Sequence, residues 1–170
     1  MAETVKKLKR SAMLTYLDAT FGGSTAEYFL IGKDVEDLSV NLNPDVQTVK
    51  NILDETNAND NGYEPSFDVD TYYANPSDGT FYEKIKDIAM NRLTGDDCKT
   101  TVLEVLVDKT AAPYDGWIED VIVKPQSYGG PQGGISIPYN VAFCGNRRKV
   151  SITSVTATTK EPVIEETSES

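Results

Sequence analysis

Residues 135–144, ISIPYNVAFC, decide the fold class of this sequence. Apolar side chains stand at every second position from Ile135 to Phe143, with smaller or polar residues between most of them. This period of two is typical of a β-strand, because successive side chains point to opposite faces of a sheet. Pro138 has no N–H to donate, so we expect this strand to lie at a sheet edge or to contain a bulge. The pattern predicts a strand with one apolar face.

Further segments with the same character are rich in β-branched or aromatic residues, which favours strands. The predicted strands are residues 12–17, 28–31, 38–42, 66–73, 101–107, 117–124 and 149–155. Glycine pairs at 129–130 and 133–134, with Pro131 between them, predict a hairpin or a projecting loop between two strands. The chain is therefore predicted to be mainly β.

One α-helix is predicted at residues 81–93, or about 80–94 with its ends. Thr80 and Glu83 match a T-x-x-E capping box, and Gly95 supplies a stop signal. The apolar face of this helix consists of Phe81, Ile85, Ile88, Ala89 and Leu93. Because a helix with one apolar face must bury it, we expect this helix to cover one side of a sheet.

Three regions are predicted to lack regular structure. In residues 45–55, Val46, Val49 and Ile52 have a spacing that fits a helix, but Asn, Pro and Asp residues surround them. We therefore expect a loop there, with a turn of helix as the alternative. Residues 19–25 and 56–65 are expected to form long loops.

The composition limits the possible functions. The chain has 170 residues, a net charge of −11 and no histidine. This size predicts one β domain, residues 1–155, and the Thr, Ser and Glu residues that follow predict a flexible acidic C-terminal extension, 156–170. Without histidine, the Ser-His-Asp and Cys-His nucleophile systems are excluded. The acidic charge disfavours tight binding of nucleic acid.

The N-terminus predicts no targeting segment. Lys6, Lys7, Lys9 and Arg10 are not followed by an apolar segment of signal-peptide length, and no stretch approaches the roughly 18 apolar residues of a spanning helix. We therefore expect a soluble protein that is made in the cytoplasm and has no membrane partner.

One segment has the spacing of a calcium-binding loop. Asn57, Asn59, Asn61 and Gly62 are followed by Asp68 at the twelfth position. Asparagine at the first three ligand positions gives less negative charge than such a loop uses, which favours an ordinary surface loop. We expect no bound metal.

Catalytic candidates are equally weak. The carboxylate pairs Asp68–Asp70, Asp96–Asp97 and Glu119–Asp120 could serve glycoside chemistry, but a chain with 27 acidic residues contains such pairs by chance. The glycines of residues 129–134 lack the order and the following helix of a phosphate-binding loop. We expect a protein that is not an enzyme and binds no cofactor.

Three smaller features carry expectations of their own. The basic cluster NRRK at 146–149 is expected to pair with acidic neighbours in the same fold or in an adjacent subunit. Trp117 begins a strand and is expected to fill a core or an interface. Cys98 and Cys144 are expected to be two buried free thiols.

Four short motifs follow one another in the second half of the chain. They are GWIEDV at 116–121, SYGG at 127–130, IPYN at 137–140 and GNR at 145–147. Together they resemble the C-terminal half of the major tail (tail tube) proteins of long-tailed bacteriophages, especially those of Gram-positive hosts. The resemblance covers about residues 45–155 and is strongest after Thr100. Residues 148–151 depart from the Val-Lys-Gly-like strand of that family, and residues 156–170 lie outside the resemblance.

The resemblance implies an antiparallel β-sandwich or barrel with one flanking α-helix. Such protomers assemble into rings, usually hexameric, that stack into the hollow tail tube of the virion. The implied partners are other copies of the chain, together with tape measure and tail terminator proteins, while DNA passes through the lumen without specific binding. Six copies would carry a charge of about −66, and acidic residues lining the lumen would repel DNA phosphates. We expect those residues on the long antiparallel strands.

Two other functions stay open at this stage. One is the tube protein of a phage-like bacteriocin particle. The other is a monomeric carbohydrate-binding or adhesin β-sandwich, which the strand content, Trp117 and the Asn-rich segment would suit. The oligomeric state separates them, because a tube protein forms rings and a binding module stays monomeric.

Overall fold

The computed structural model describes residues 7–156 and 160–165. This part of the chain is mainly β, with a single α-helix, as the sequence predicts. The strands are β1 (Met13–Asp18), β2 (Tyr28–Ile31), β3 (Pro44–Lys50), β4 (Thr56–Tyr63), β5 (Ser66–Val69), β6 (Lys99–Leu106), β7 (Tyr114–Pro125), β8 (Tyr139–Val155) and β9 (Pro162–Glu165). The helix is α1 (Thr80–Asn91), and short 3-10 turns span Arg10–Ala12, Pro76–Asp78 and Gly95–Cys98.

Seven strands form one antiparallel sheet. We call this sheet and α1 together the body. Its strand order is β2-β1-β6-β7-β8-β5, and β9 also pairs with β8. Strands β7 and β8 pair along most of their length, from Tyr114 opposite Ile152 to Pro125 opposite Tyr139. Strands β3 and β4 form a separate two-stranded sheet, which we call the hairpin.

One face of the sheet holds the main core. Leu17, Val102 and Val121, on three neighbouring strands, belong to a cluster that Phe81 and Ile85 of α1 complete. The helix therefore covers this face, as its apolar pattern predicts.

The other face buries a second cluster. Tyr16 and Leu103 alternate along their strands with residues of the main core, so they point to the opposite side of the sheet. Leu30 of β2 and Ile164 of β9 both pack against this cluster, although the two strands stand near opposite ends of the sheet. The sheet must therefore be curled, which agrees with the expected sandwich or barrel.

The helix matches its prediction in position but not at its ends. Phe81, Ile85, Ile88 and Ala89 are buried as expected. The N-cap is Gly79 and no side chain caps it, so the predicted Thr80 capping box is wrong. The helix ends at Asn91 because Arg92 adopts the left-handed conformation, with φ 52° and ψ 48°, three residues before Gly95.

The two strands predicted at 135–144 and 149–155 are one strand. β8 begins at Tyr139 and continues through Gly145 and Asn146, both of which have positive φ. The register with β7 shifts at this point, so these residues form a bulge rather than a turn. Ile135 lies before the strand and is 58% exposed, so it does not share the buried face.

The remaining strand predictions differ in quality. Residues 28–31 are confirmed, and 12–17, 101–107 and 117–124 are confirmed within a few residues at their ends. The prediction at 66–73 extends four residues too far, because β5 ends at Val69. The prediction at 38–42 is wrong, since this segment makes only an isolated bridge between Asn41 and Ser66.

Two predicted loops are wrong in the same region. Residues 45–55 and 56–65 were expected to be irregular, but they contain β3 and β4, which pair from Val46 opposite Asp60 to Lys50 opposite Thr56. The glycine-rich residues 129–134 do connect two strands, β7 and β8, as predicted.

The C-terminal segment differs from a wholly flexible extension. Residues Pro162–Glu165 form β9 and pair with β8. Residues 157–159 and 166–170 of the predicted extension lie outside the described residues. Among the described helices, none is long and apolar enough to cross a membrane.

Candidate assembly surfaces

The hairpin is almost completely exposed. Every residue of β3 is exposed, and in β4 only Gly62 is half-buried. At the tip, Ile52 is 101% exposed and Leu53 72% exposed, while Val46 and Val49 of β3 are more than half exposed. An isolated two-stranded sheet has marginal stability in water, and exposed apolar side chains often mark a contact surface. The hairpin is thus a candidate for contact with another molecule.

The hairpin tip is nevertheless well defined by its own hydrogen bonds. The Asn51 side-chain oxygen accepts from the backbone N–H of Leu53 at 2.9 Å and of Glu55 at 3.0 Å. The Asn51 amide donates to the Glu55 carboxylate at 2.8 Å, and Lys50 pairs with Asp54 at 3.3 Å. These local bonds shape the turn without help from the body.

A second candidate surface is the outer side of β8. On that side, β5 pairs with residues 139–142 of β8 and β9 pairs with residues 151–155. Between them, no strand in the described part of the chain pairs with the outer side of residues 144–150. We call this stretch the open edge. It contains the predicted basic cluster 146–149, whose residues are all exposed.

A buried ionic cluster lies behind the open edge. Arg147 donates to the carboxylates of Glu104 and Glu119 at 3.3 Å each, and its guanidinium lies 5.8 Å from the centre of the Trp117 ring. The Glu104 and Glu119 side chains are only 10% and 7% exposed. Burial raises the pKa of Glu104 above its ordinary value, against the lowering effect of Arg147. The predicted pairing of Arg147 with acidic neighbours in the same fold is confirmed.

The other basic residues of this stretch are less engaged. Lys149 pairs with Asp115 at 3.3 Å. Arg148 donates to the Asn146 carbonyl at 3.4 Å and has no acidic partner within 4.0 Å among the described residues. Among the cations of the open edge, Arg148 is therefore the one most available to a second molecule.

A groove separates the open edge from the base of the hairpin. Its volume is about 1160 Å³. Leu42 and Tyr63 line it from the hairpin side, Cys144 and Arg147 line it from β8, and Phe143 contributes apolar surface. Cys144 is exposed, so the expectation of two buried thiols holds only for Cys98.

Acidic residues also concentrate at a different site. Asp34, Glu36 and Asp37 share a shallow pocket with Asp70, and no basic residue lines it. By contrast, the acids of the long strands are mostly engaged: Glu104 and Glu119 are buried with Arg147. An exposed acidic surface therefore lies on loops, while the position of the lumen-facing acids on the long strands stays a prediction.

The predicted metal and catalytic residues do not converge. Asn57, Asn59 and Asn61 lie in the extended strand β4, so they cannot encircle an ion as a loop would, and Asp68 lies in β5. In the described part of the chain, no three His, Cys, Asp or Glu side chains are grouped closely enough to hold a metal ion.

The three carboxylate pairs have separate roles. Asp68 accepts from the Asn140 amide at 2.7 Å, and Asp96 pairs with Lys99 at 2.9 Å. In the third pair, Asp120 accepts from the Asn146 amide at 3.3 Å while its neighbour Glu119 bonds to Arg147. In each pair at least one carboxylate thus has a structural partner, and no pair is arranged as two opposed carboxylates.

Comparison with known proteins is informative at the level of fold. No protein-family model and no curated protein matches the chain. Among solved structures, the sheath/tube terminator of the PVC extracellular contractile injection system is similar, with a TM-score of 0.50 and 8% identity over 86% of this chain and 99% of that chain. The tube-terminating cap of the anti-feeding prophage has a TM-score of 0.50 and 12% identity, over 89% and 95% of the two chains. The chain has a phage-tail-like fold.

Proposed function

We propose that this protein is a structural, non-enzymatic component of the tail of a bacteriophage or a phage-like particle. In this proposal it assembles into stacked rings, of six copies each, that form the hollow tail tube. The observation that carries it is the hairpin, a structured element that exposes Val46, Val49, Ile52 and Leu53 while the body buries most of its apolar residues. The phage-tail-like fold supports the same function.

The surface charge suits passage of DNA through a tube. The acids at residues 34–37 and Asp70 have no basic neighbour in their pocket. If this surface faces the lumen, it repels phosphates and lets DNA pass without specific binding. Tape measure and tail terminator proteins would be partners at the two ends of such a tube, which is made in the host cytoplasm and becomes part of the virion.

A second candidate is a ring that ends the tube instead of forming it. The two similar structures are a tube terminator and a tube-terminating cap, and nearly their whole lengths match this chain. The two functions differ in assembly, because a tube protein adds ring upon ring and a terminator stops after one ring.

Negative-stain electron microscopy of the purified full chain over a range of concentrations tests the proposal. Hollow tubes are the expected result, single rings would support the terminator, and monomers at every concentration would overturn both. The matched control replaces residues 44–63 by a short Gly-Ser linker. The residues that flank the removed segment are already adjacent, since the Asn43 side-chain amide donates to the Glu64 carbonyl at 3.0 Å. This variant should therefore fold but not assemble.

The role of the acidic surface needs a separate experiment. Replacing Asp34, Glu36, Asp37 and Asp70 by the corresponding amides should leave tube formation intact but make the tubes retain added double-stranded DNA. If the variant tubes retain no more DNA than the unsubstituted tubes at any point of a salt series, these residues do not face the lumen.

A further inference from the structure

The open edge and the hairpin have matching lengths. The open edge comprises seven residues, 144–150, and β3 also comprises seven, Pro44–Lys50. At about 3.3 Å per residue, each measures roughly 23 Å. Both strands of the hairpin also have one side without a partner in the described chain, because they pair only with each other. Addition of one strand to another's free edge is a common way for proteins to associate.

Their charges are opposite. The open edge carries three cations, Arg147, Arg148 and Lys149. Arg147 and Lys149 already pair with acids of the same chain, so Arg148 supplies the unpaired positive charge. Residues 44–63 of the hairpin carry Asp45, Lys50, Asp54, Glu55 and Asp60, which gives −3. Opposite charge favours approach of the two surfaces and fixes their register.

The bulge at Gly145 and Asn146 limits which strands can bind. Bulges and rows of cations protect sheet edges from indiscriminate pairing with other strands. The same cations are compatible with an acidic ribbon, so the open edge is selective rather than closed. This explains why a chain that exposes an edge does not have to aggregate without order.

We propose that the hairpin of one copy binds, as a β-ribbon, along the open edge of a second copy. This inference rests on the proposed self-assembly and names the surfaces that carry it. Val46 and Val49 point to opposite faces of β3, so one of the two gains apolar cover from the groove beside the edge, where Leu42, Tyr63 and Phe143 of the second copy lie.

The native thiols provide a direct test. Cys144 lies in the open edge and is exposed, whereas Cys98 is buried and 0% exposed. Single cysteines are introduced into the full chain along the hairpin, and each variant is oxidised under dilute copper-phenanthroline and analysed on a non-reducing gel. The positions scanned are Val46→Cys, Thr48→Cys, Lys50→Cys, Asn57→Cys, Asn59→Cys and Asn61→Cys. A disulfide needs Cα atoms within about 7 Å, so neighbouring positions should differ in yield.

The matched controls isolate the contact. Lys84→Cys places an exposed thiol on α1, which is part of neither the hairpin nor the open edge. Cys144→Ser in each hairpin variant removes the partner thiol. Arg148→Glu keeps both thiols and places a like charge against the acidic hairpin, so it should lower the yield of disulfide by about tenfold.

Each outcome decides the proposal. A disulfide-linked dimer that forms only with Cys144 present, and at one or two hairpin positions, supports it. A disulfide within one chain, a yield from Lys84→Cys equal to that from the hairpin positions, or no disulfide at any position overturns it. If tubes form but this disulfide does not, the proposed function stands and the proposed contact is wrong. If the disulfide forms but neither rings nor tubes do, the contact stands and the proposed tube is wrong.

Discussion

The body and the hairpin of this protein follow opposite rules of burial. In the body, Phe67, Phe81 and Ile152 are completely buried, and the sheet holds apolar clusters on both of its faces. In the hairpin, Ile52 at the tip is completely exposed, and no residue of β3 is buried. The stability of the body therefore comes from contacts within the chain, whereas the exposed apolar side chains of the hairpin contribute little to it.

The largest loss of stability is expected from a substitution in the main core of the body. Phe81→Ala should lower the free energy of unfolding by about 3–5 kcal/mol, because the ring is fully buried and stacks on Phe29 with centroids 4.1 Å apart. Urea denaturation followed by circular dichroism measures the change. A loss below about 1 kcal/mol would show that this core is far looser than its packing indicates.

The ionic cluster should show the next largest effect. Arg147→Met leaves Glu104 and Glu119 buried without their cation, which should cost about 2–3 kcal/mol. We expect a value below that of a fully buried pair, because 40% of the Arg147 side chain is exposed to solvent. Arg148→Met is the matched control in the same strand, and it should change the same denaturation midpoint only slightly.

A pH titration resolves the cluster further. The pKa of Glu104 is raised in the folded state, so its protonated form favours folding; this contribution is present below the ordinary carboxyl pKa and is lost as the pH rises through the folded-state value. Glu104→Gln should therefore remove part of the decline in stability between acidic and neutral pH. Thermal melts at several pH values measure it, and parallel curves for the two proteins would contradict the prediction.

The smallest effect on stability is expected in the hairpin. Ile52→Ser and Leu53→Ser, singly, should change the free energy of unfolding of the monomer by no more than about 0.5 kcal/mol, because both side chains are exposed. In the same samples, assembly measured by light scattering should fall. A large loss of monomer stability would mean that the hairpin packs on the body in solution.

The body could be predicted from the sequence because burial imposes a pattern. Tyr139 and Val141 belong to a period of two that one buried face requires, and Phe81 and Ile85 belong to a helical period for the same reason. The strands of the hairpin could not be predicted, because no face of the hairpin is buried and no alternation of apolar and polar residues is required there. Residues such as Asn57 and Asn59 have low strand propensity, and only the local pairing of β3 with β4 makes them extended.

Other misses have their own physical causes. Asn146 follows Gly145, a combination that suggests a turn, but the long partner strand β7 holds both residues in the ladder as a bulge. Glu104 was not recognised as part of a cluster, although a charged residue between Leu103 and Val105 in an apolar strand is the signal that could have found it. The Gram-positive host of the resembling phages stays a prediction.

The hairpin and the open edge are different parts of the same chain, and this gives any open stack a direction. Each copy offers one hairpin and one edge, so a series of such contacts leaves unmatched hairpins at one end and unmatched edges at the other. The two ends then differ in charge and in shape. Growth can proceed faster at one end, and a second protein can recognise that end alone, which is what a structure with a head and a tip requires.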